Sequence, residues 1–213
     1  MRARDRLAYL RGEHAEEALL VGWICLLAHT LFLPVLALVP ALGYLVATAR
    51  AVIGGEEALP PVEFRALFSE GLAAGAICLL YGLIPATIGA VTVSLATETA
   101  IDPQDGATLF FLIGSTTTLF VVLAGLYALP IALCRYAVGG IRDALPSRAF
   151  LAVGTHAAYF IGWTSALLLL AAGGLGGGVI EIVPVVGPIL AALVWWITAI
   201  VAARRLAAAY RTV

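Results

Sequence analysis

The chain has 213 residues, 62% of them hydrophobic and 12% charged, with a mean hydropathy of +1.05. Soluble domains average about half apolar and a quarter charged, so this composition excludes an ordinary water-soluble fold and predicts an integral membrane protein. The formal net charge is -1, all 12 basic residues being Arg; they are scattered among the polar segments, which argues against a continuous nucleic-acid-binding patch and makes them markers of membrane orientation.

Residues 1–17 carry Arg2, Arg4, Arg6 and Arg11 ahead of an apolar stretch over 18–49. That stretch far exceeds the roughly 7 to 15 residues of a signal-peptide core, so it is read as retained. As one straight helix it would measure about 48 Å against a hydrocarbon core of about 30 Å. It is therefore either one long tilted helix or a tight hairpin turning near His29 to Pro34. Further spans are predicted over 72–96, 107–134, 150–172 and 179–203, with a tail at 204–213. The expected fold is all-α: one integral membrane domain, a polytopic bundle of five to six membrane helices arranged as hairpin repeats, with short amphipathic helices at the interface.

Arginine placement orients the bundle. The loop "TETAIDPQDG" has no Arg, and the Gly-rich connection from Gly173 to Pro188 carries only Glu181; both are assigned outside by the positive-inside rule. The segments 50–65 and 135–148, the tail and the N-terminus then lie inside. Two cytoplasmic termini require an even number of crossings, which favours the hairpin over 18–49 and puts His29 at its outer turn, where water can satisfy the imidazole.

The phrase Leu-Pro-x-x-x-Phe occurs twice, as "LPPVEF" at 59–64 and "LPSRAF" at 145–150. Pro60 or Pro61, and Pro146, suit the first turn of a helix. Behind the first phrase, Phe64, Leu67, Phe68, Gly71 and Leu72 recur at helical spacing with Glu63, Arg65, Ser69 and Glu70 around them, predicting an interfacial helix over 59–71. Phe150, Val153, Gly154 and Ala157 repeat the spacing more weakly. The expected role is an anchor that sets helix register, the alternative a partner-docking surface or lateral gate.

Through "VPALGYLVATARAVIGGEEALPPVEFRALFSEGLAAGAICLLYGLIP", "LPIALCRYA" and "VPVVGPILAALVWWITAIVAARRLAAAYR" the chain resembles a family of archaeal, mostly haloarchaeal, polytopic membrane proteins known only as a domain of unknown function. The resemblance implies a multi-helix protein of an archaeal plasma membrane and supplies no catalytic residues. His29 and the Arg-free, Thr-rich outer side depart from its usual pattern.

Ionisable residues within membrane segments are functional candidates by default. They are His29; His156, about two turns into the fourth span; and Glu181, between a Gly run and two prolines, where a broken helix presents a carboxylate to a cation in some transporters. Ser115, Thr116 and Thr117 in "GSTTT" would line a polar path, or bond back to their own helix. Gly71 with Gly75, and Ala158 with Gly162, have the small-xxx-small spacing of close helix approach. Trp195 and Trp196 sit too centrally for an aromatic belt and are expected against lipid or a partner helix. Cys25, Cys78 and Cys134 are far apart and form no metal-ligand or redox pattern. No hydrolase, zinc-protease or phosphate-loop motif is present, so no enzyme activity, cofactor or metal is expected. Two readings follow. The leading one is a non-catalytic scaffold or assembly component whose partners are the bilayer and a second copy or another membrane protein; the other is a small-solute or ion transporter or channel.

Overall fold

The structure is a computed structural model that describes residues 12, 14–31, 35–99 and 107–213. Among the described residues there are seven α-helices and no strand: α1 (Ala15–Leu31), α2 (Leu38–Gly54), α3 (Phe64–Thr99), α4 (Ala107–Gly139), α5 (Arg148–Gly154), α6 (Ala157–Glu181) and α7 (Val186–Arg211). They form two compact units, one of residues 1–75 with 131–213, the other of residues 76–130. The unit boundaries fall inside α3 and α4, which run through both.

Four helices are long and apolar enough to cross a membrane, in the segments Phe64–Leu95, Phe111–Gly139, Ala157–Glu181 and Val186–Arg211. That is fewer than the five to six expected, because the stretch 18–49 is divided between α1 and α2, each of 17 residues. At 1.5 Å per residue each measures about 26 Å, short of a full hydrocarbon core. His29, where the expected turn was to begin, is still helical and lies in the last turn of α1; residues 32–34 of that turn, most of the N-terminal segment and most of the loop "TETAIDPQDG" lie outside the described residues.

The larger unit is organised around α7. Trp196, 1% exposed, packs its ring on Tyr44 of α2 with centroids 5.9 Å apart and donates its indole N–H to the Ala18 carbonyl of α1 at 2.9 Å. Trp23 of α1 returns the interaction, donating to the Ile189 carbonyl of α7 at 2.8 Å. Gly22 makes room for this exchange, since a Cβ there would run into the Trp196 indole. Of the two central tryptophans, Trp196 thus faces partner helices, and Trp195 stands against Gly177 of α6. Ala15, Cys25, Ala41, Leu59, Leu67 and Ile200 complete this core.

Glycine sets the helix spacing elsewhere. The run from Gly173 to Gly178, expected to be a flexible connection, is helical and belongs to α6. Two of its glycines, Gly173 and Gly177, with Gly162 earlier in α6, let two helices approach, since side chains there would strike Thr198, Trp195 and Ala209 of α7; Gly174, Gly176 and Gly178 face open space. In water a glycine run favours a loop, whereas between membrane helices the close backbone approach favours a helix. Similarly, α2 and α3 cross where Gly43 rests on the Leu67 carbonyl and Gly71 on the Val39 carbonyl. Gly75, the expected partner of Gly71 in its motif, faces open space.

The interfacial helix expected over 59–71 begins instead at Phe64 and continues unbroken as α3. The reason is local. Residues that precede a proline are pushed out of the α region, so Leu59 and Pro60 stay outside the helix, and Pro60 uses its carbonyl to accept the Tyr44 hydroxyl at 3.1 Å. The single expected face also divides: Leu67 is buried, whereas Phe64 and Phe68 are exposed. At the second phrase a separate seven-residue helix, α5, does form. Pro146 stands one residue before its N-cap, Ser147, whose hydroxyl accepts the Phe150 N–H at 3.2 Å; Phe150 and Val153 are buried. The span expected over 150–172 therefore starts at Ala157, and the expected tail from 204 is the last two turns of α7.

Within the unit of residues 76–130, α3 and α4 face each other through Gly89 against Thr118 and Gly114 against Thr92. The remaining faces are exposed and apolar, including Leu79, Leu83, Ile84, Phe111, Leu119 and Phe120. A helix that is hydrophobic all round needs lipid or further helices about it.

Candidate functional site

The polar side chains of the larger unit gather where α2, α4 and α7 end. Helix C-termini leave carbonyls without intrahelical donors, and α2 satisfies part of this need by itself: Gly55, at φ +92, turns its N–H back on Val52 at 3.1 Å, and Glu56 bonds to Ala51 at 2.9 Å. Glycine is required there because other residues resist that region. The end of α4 repeats the device at Gly140, φ +87, whose N–H bonds to Tyr136 at 3.0 Å.

Arginines from other helices supply the remaining donors. Arg50 of α2 donates through Nε to the Ala137 carbonyl of α4 at 2.7 Å and pairs through Nη1 with Glu70 of α3 at 2.5 Å. Arg211 of α7 donates to the Val52 carbonyl at 3.3 Å, and Arg204 of α7 to the Glu57 carbonyl at 2.8 Å. Arg135 of α4 closes on its own turn, donating to the Asp143 carbonyl at 2.6 Å, with the Asp143 carboxylate 3.9 Å away. Cations at helix C-termini are favoured both by these orphan carbonyls and by the helix dipole. The Arg50–Glu70 pair is 46% and 21% exposed, so water screens much of its attraction, and the bonds to main-chain carbonyls are the more local restraint.

None of these arginines was singled out as a site from sequence, although a signal was present. "RAVIGG" at 50–55 and "RYAVGG" at 135–140 place an Arg five residues before each positive-φ glycine. Two residues after each Arg comes the carbonyl that accepts from another helix, Val52 in one case and Ala137 in the other.

The residues that were singled out lie apart from this cluster and from one another. His29 is in the last turn of α1, with Nδ1 buried and without a hydrogen-bond partner among the described residues. His156 is not inside a span: it is exposed, in extended backbone conformation, at the N-cap of α6. Glu181 is exposed at the last residue of α6, followed by a turn in which Val186 N–H bonds to Pro184 at 2.8 Å and Val185 is forced to φ +67. Ser115 and Thr117 donate to the Leu112 and Ile113 carbonyls of their own helix at 3.2 and 2.8 Å, and Thr116 is exposed. Among the described residues no three His, Cys, Asp or Glu side chains gather as metal ligands.

No curated protein and no solved structure matches the chain. The family described as "Protein of unknown function (DUF4013)" matches residues 26–182, from the middle of α1 to the turn after α6. That is well over half of the chain, whose helices suit a membrane, and the protein belongs to this family.

Proposed function

We propose that the protein is a non-catalytic scaffold or assembly component of the plasma membrane, of an archaeal cell as the sequence resemblance implies. The observation that carries this reading is the use of its polar side chains. Arg50, Arg204 and Arg211 each bind a main-chain carbonyl of another element, while Ser115, Thr117 and Thr118 bond back to their own helix. The arginines join elements to one another and the hydroxyls are satisfied within their own helix, so neither set is directed to a passing solute.

In this reading the arginine-bearing helix ends and both termini face the cytoplasm, as the positive-inside rule favours. The pair α1–α2 crosses as a short hairpin, as α3–α4 and α6–α7 do as longer ones, and α5 with the first turns of α3 lies in the headgroup layer. The shared Arg-to-glycine register at the ends of α2 and α4 supports a repeated hairpin unit. Single cysteines in a Cys-free background at Gly12, Val35, Gly54 and Glu181 test the topology: labelling of Val35→Cys and Glu181→Cys from outside only, and of the other two from inside only, is expected. Labelling of Gly12→Cys and Gly54→Cys from opposite sides would overturn the hairpin.

One observation favours a transporter or channel, the buried His29 Nδ1 without a partner among the described residues. Purified protein in liposomes loaded with a pH-sensitive dye, under an imposed membrane potential, separates the two. The scaffold reading expects no flux above empty liposomes; a proton or cation flux abolished by His29→Ala overturns it.

A further inference from the structure

We propose that the α4–α5 turn, α5 and the last turns of α7 form a surface that binds the phosphate headgroups of anionic phospholipids through Arg142, Arg148 and Arg205. The proposal rests on the reading that these helix ends lie in the headgroup layer. Charge is its first support. Between Ile131 and Val213 there are six arginines and two acids, Asp143 and Glu181; Asp143 already faces Arg135, and Glu181 closes the opposite end of α6. The other turn at this end, over 55–63, carries Glu56, Glu57 and Glu63; Arg204 and Arg211 reach toward it and the end of α2, which leaves Arg142, Arg148 and Arg205 as the unbalanced positive charge of the α4–α5 turn, α5 and the last turns of α7.

The second support is availability. Arg135, Arg204 and Arg211 are held on carbonyls, whereas Arg142, Arg148 and Arg205 are exposed and make no ion pair or side-chain hydrogen bond among the described residues. They are brought to one region by packing around α7: Arg135, bonded to the turn that carries Arg142, lies beside Tyr210, and the Arg205 carbonyl lies against Gly162 of α6, which α5 precedes. The third support is the company they keep. Ile141 and Leu145 of the same turn, Leu151 of α5 and Phe160 in the first turn of α6 are exposed. Guanidinium groups interleaved with apolar side chains match the boundary of acyl chain and phosphate, where each cation adds to the attraction of an anionic surface.

The test uses the full chain in lipid nanodiscs and quenching of its tryptophans by brominated phosphatidylglycerol or brominated phosphatidylcholine, which gives a relative affinity for the two lipids. The wild type is expected to prefer the anionic lipid at least about fivefold, the factor for one arginine at such a surface. Arg142→Gln/Arg148→Gln/Arg205→Gln should bring the ratio toward one, the triple Lys variant should restore it, and Arg65→Gln, on the acidic side, should leave it unchanged. A wild-type ratio near one, an equal loss in Arg65→Gln, or abolition of the preference by soluble glycerol phosphate overturns the proposal. Failure of the chain to enter discs of either lipid would overturn the membrane reading beneath it, whereas entry without preference overturns the lipid site alone.

Discussion

Replacing Gly71 by Ala and Gly75 by Ala adds the same methyl group to the same helix four residues apart, yet the two changes should act in opposite directions. A Cβ at Gly71 would meet the Val39 carbonyl, a main-chain atom that cannot rotate away, so α2 and α3 must separate. Overpacking of this kind costs about 1–3 kcal/mol, offset by the roughly 0.5–1 kcal/mol by which Ala outperforms Gly inside a helix. Gly75 has nothing within 4 Å of its Cβ position, so only the second effect acts there. The expected gap between the variants is therefore about 1–3 kcal/mol, with Gly71→Ala destabilised and Gly75→Ala slightly stabilised. Unfolding by SDS in mixed micelles, followed by tryptophan fluorescence, measures both. Equal effects of the two substitutions would refute the claim that this crossing is set by backbone contact. Gly43→Ala should resemble Gly71→Ala, and the double variant should cost less than the sum, because one separation of the helices relieves both contacts.

The remaining predictions concern single groups and use the same unfolding assay. Trp196→Phe keeps an aromatic ring against Tyr44 and loses the bond to Ala18, whose carbonyl retains its place in the α1 ladder; it should cost about 0.5–1.5 kcal/mol, the net value of one hydrogen bond, and Trp196→Ala about 3–5 kcal/mol. Arg50→Gln loses the Ala137 carbonyl as well as Glu70 and should be worse than Glu70→Gln, which removes only a half-exposed pair with a typical value below about 1 kcal/mol; the reverse order would discount the carbonyl contact. Val185 is 81% exposed at a positive φ, so Val185→Gly should stabilise by about 1 kcal/mol through relief of backbone strain. Destabilisation would show that the turn depends on the valine side chain.

Helical membrane architecture was legible because apolar length is a one-dimensional property: α4, α6 and α7 each contain most of an expected span. Boundaries were less legible because they depend on caps and neighbours. The break at Thr155 and His156 lies in a stretch that reads as continuous apolar sequence, and the helical Gly173–Gly178 run meets α7 at Gly173 and Gly177, a contact that the sequence does not display. The repeated Leu-Pro phrase shows how a visible motif can be out of register with the structure. Leu59 is buried and Leu145 exposed, and the buried residue four positions beyond the second positive-φ glycine is Ala144. The Arg-to-glycine register aligns the two helix ends where the Leu-Pro register does not. Arg50 and Arg135 were read as orientation markers, since nothing in one dimension shows which carbonyls their guanidinium groups reach.

The exchange of indole bonds between α1 and α7 also bears on how the protein is made. Trp196 and the Ala18 carbonyl are separated by 178 positions in the chain, and the whole unit of residues 76–130 is synthesised between them. Contacts within α3–α4 and within α6–α7 join neighbours in sequence and can form as each pair emerges, but α1 and α2 must wait for α7 before Tyr44 and Ala18 are covered. Long-range closure of this kind is slow relative to local pairing. A nascent chain halted before Val186 would therefore expose the flank of α1 around Gly22 and the buried ring of Tyr44, a surface by which membrane chaperones and proteases could distinguish unfinished copies from complete ones.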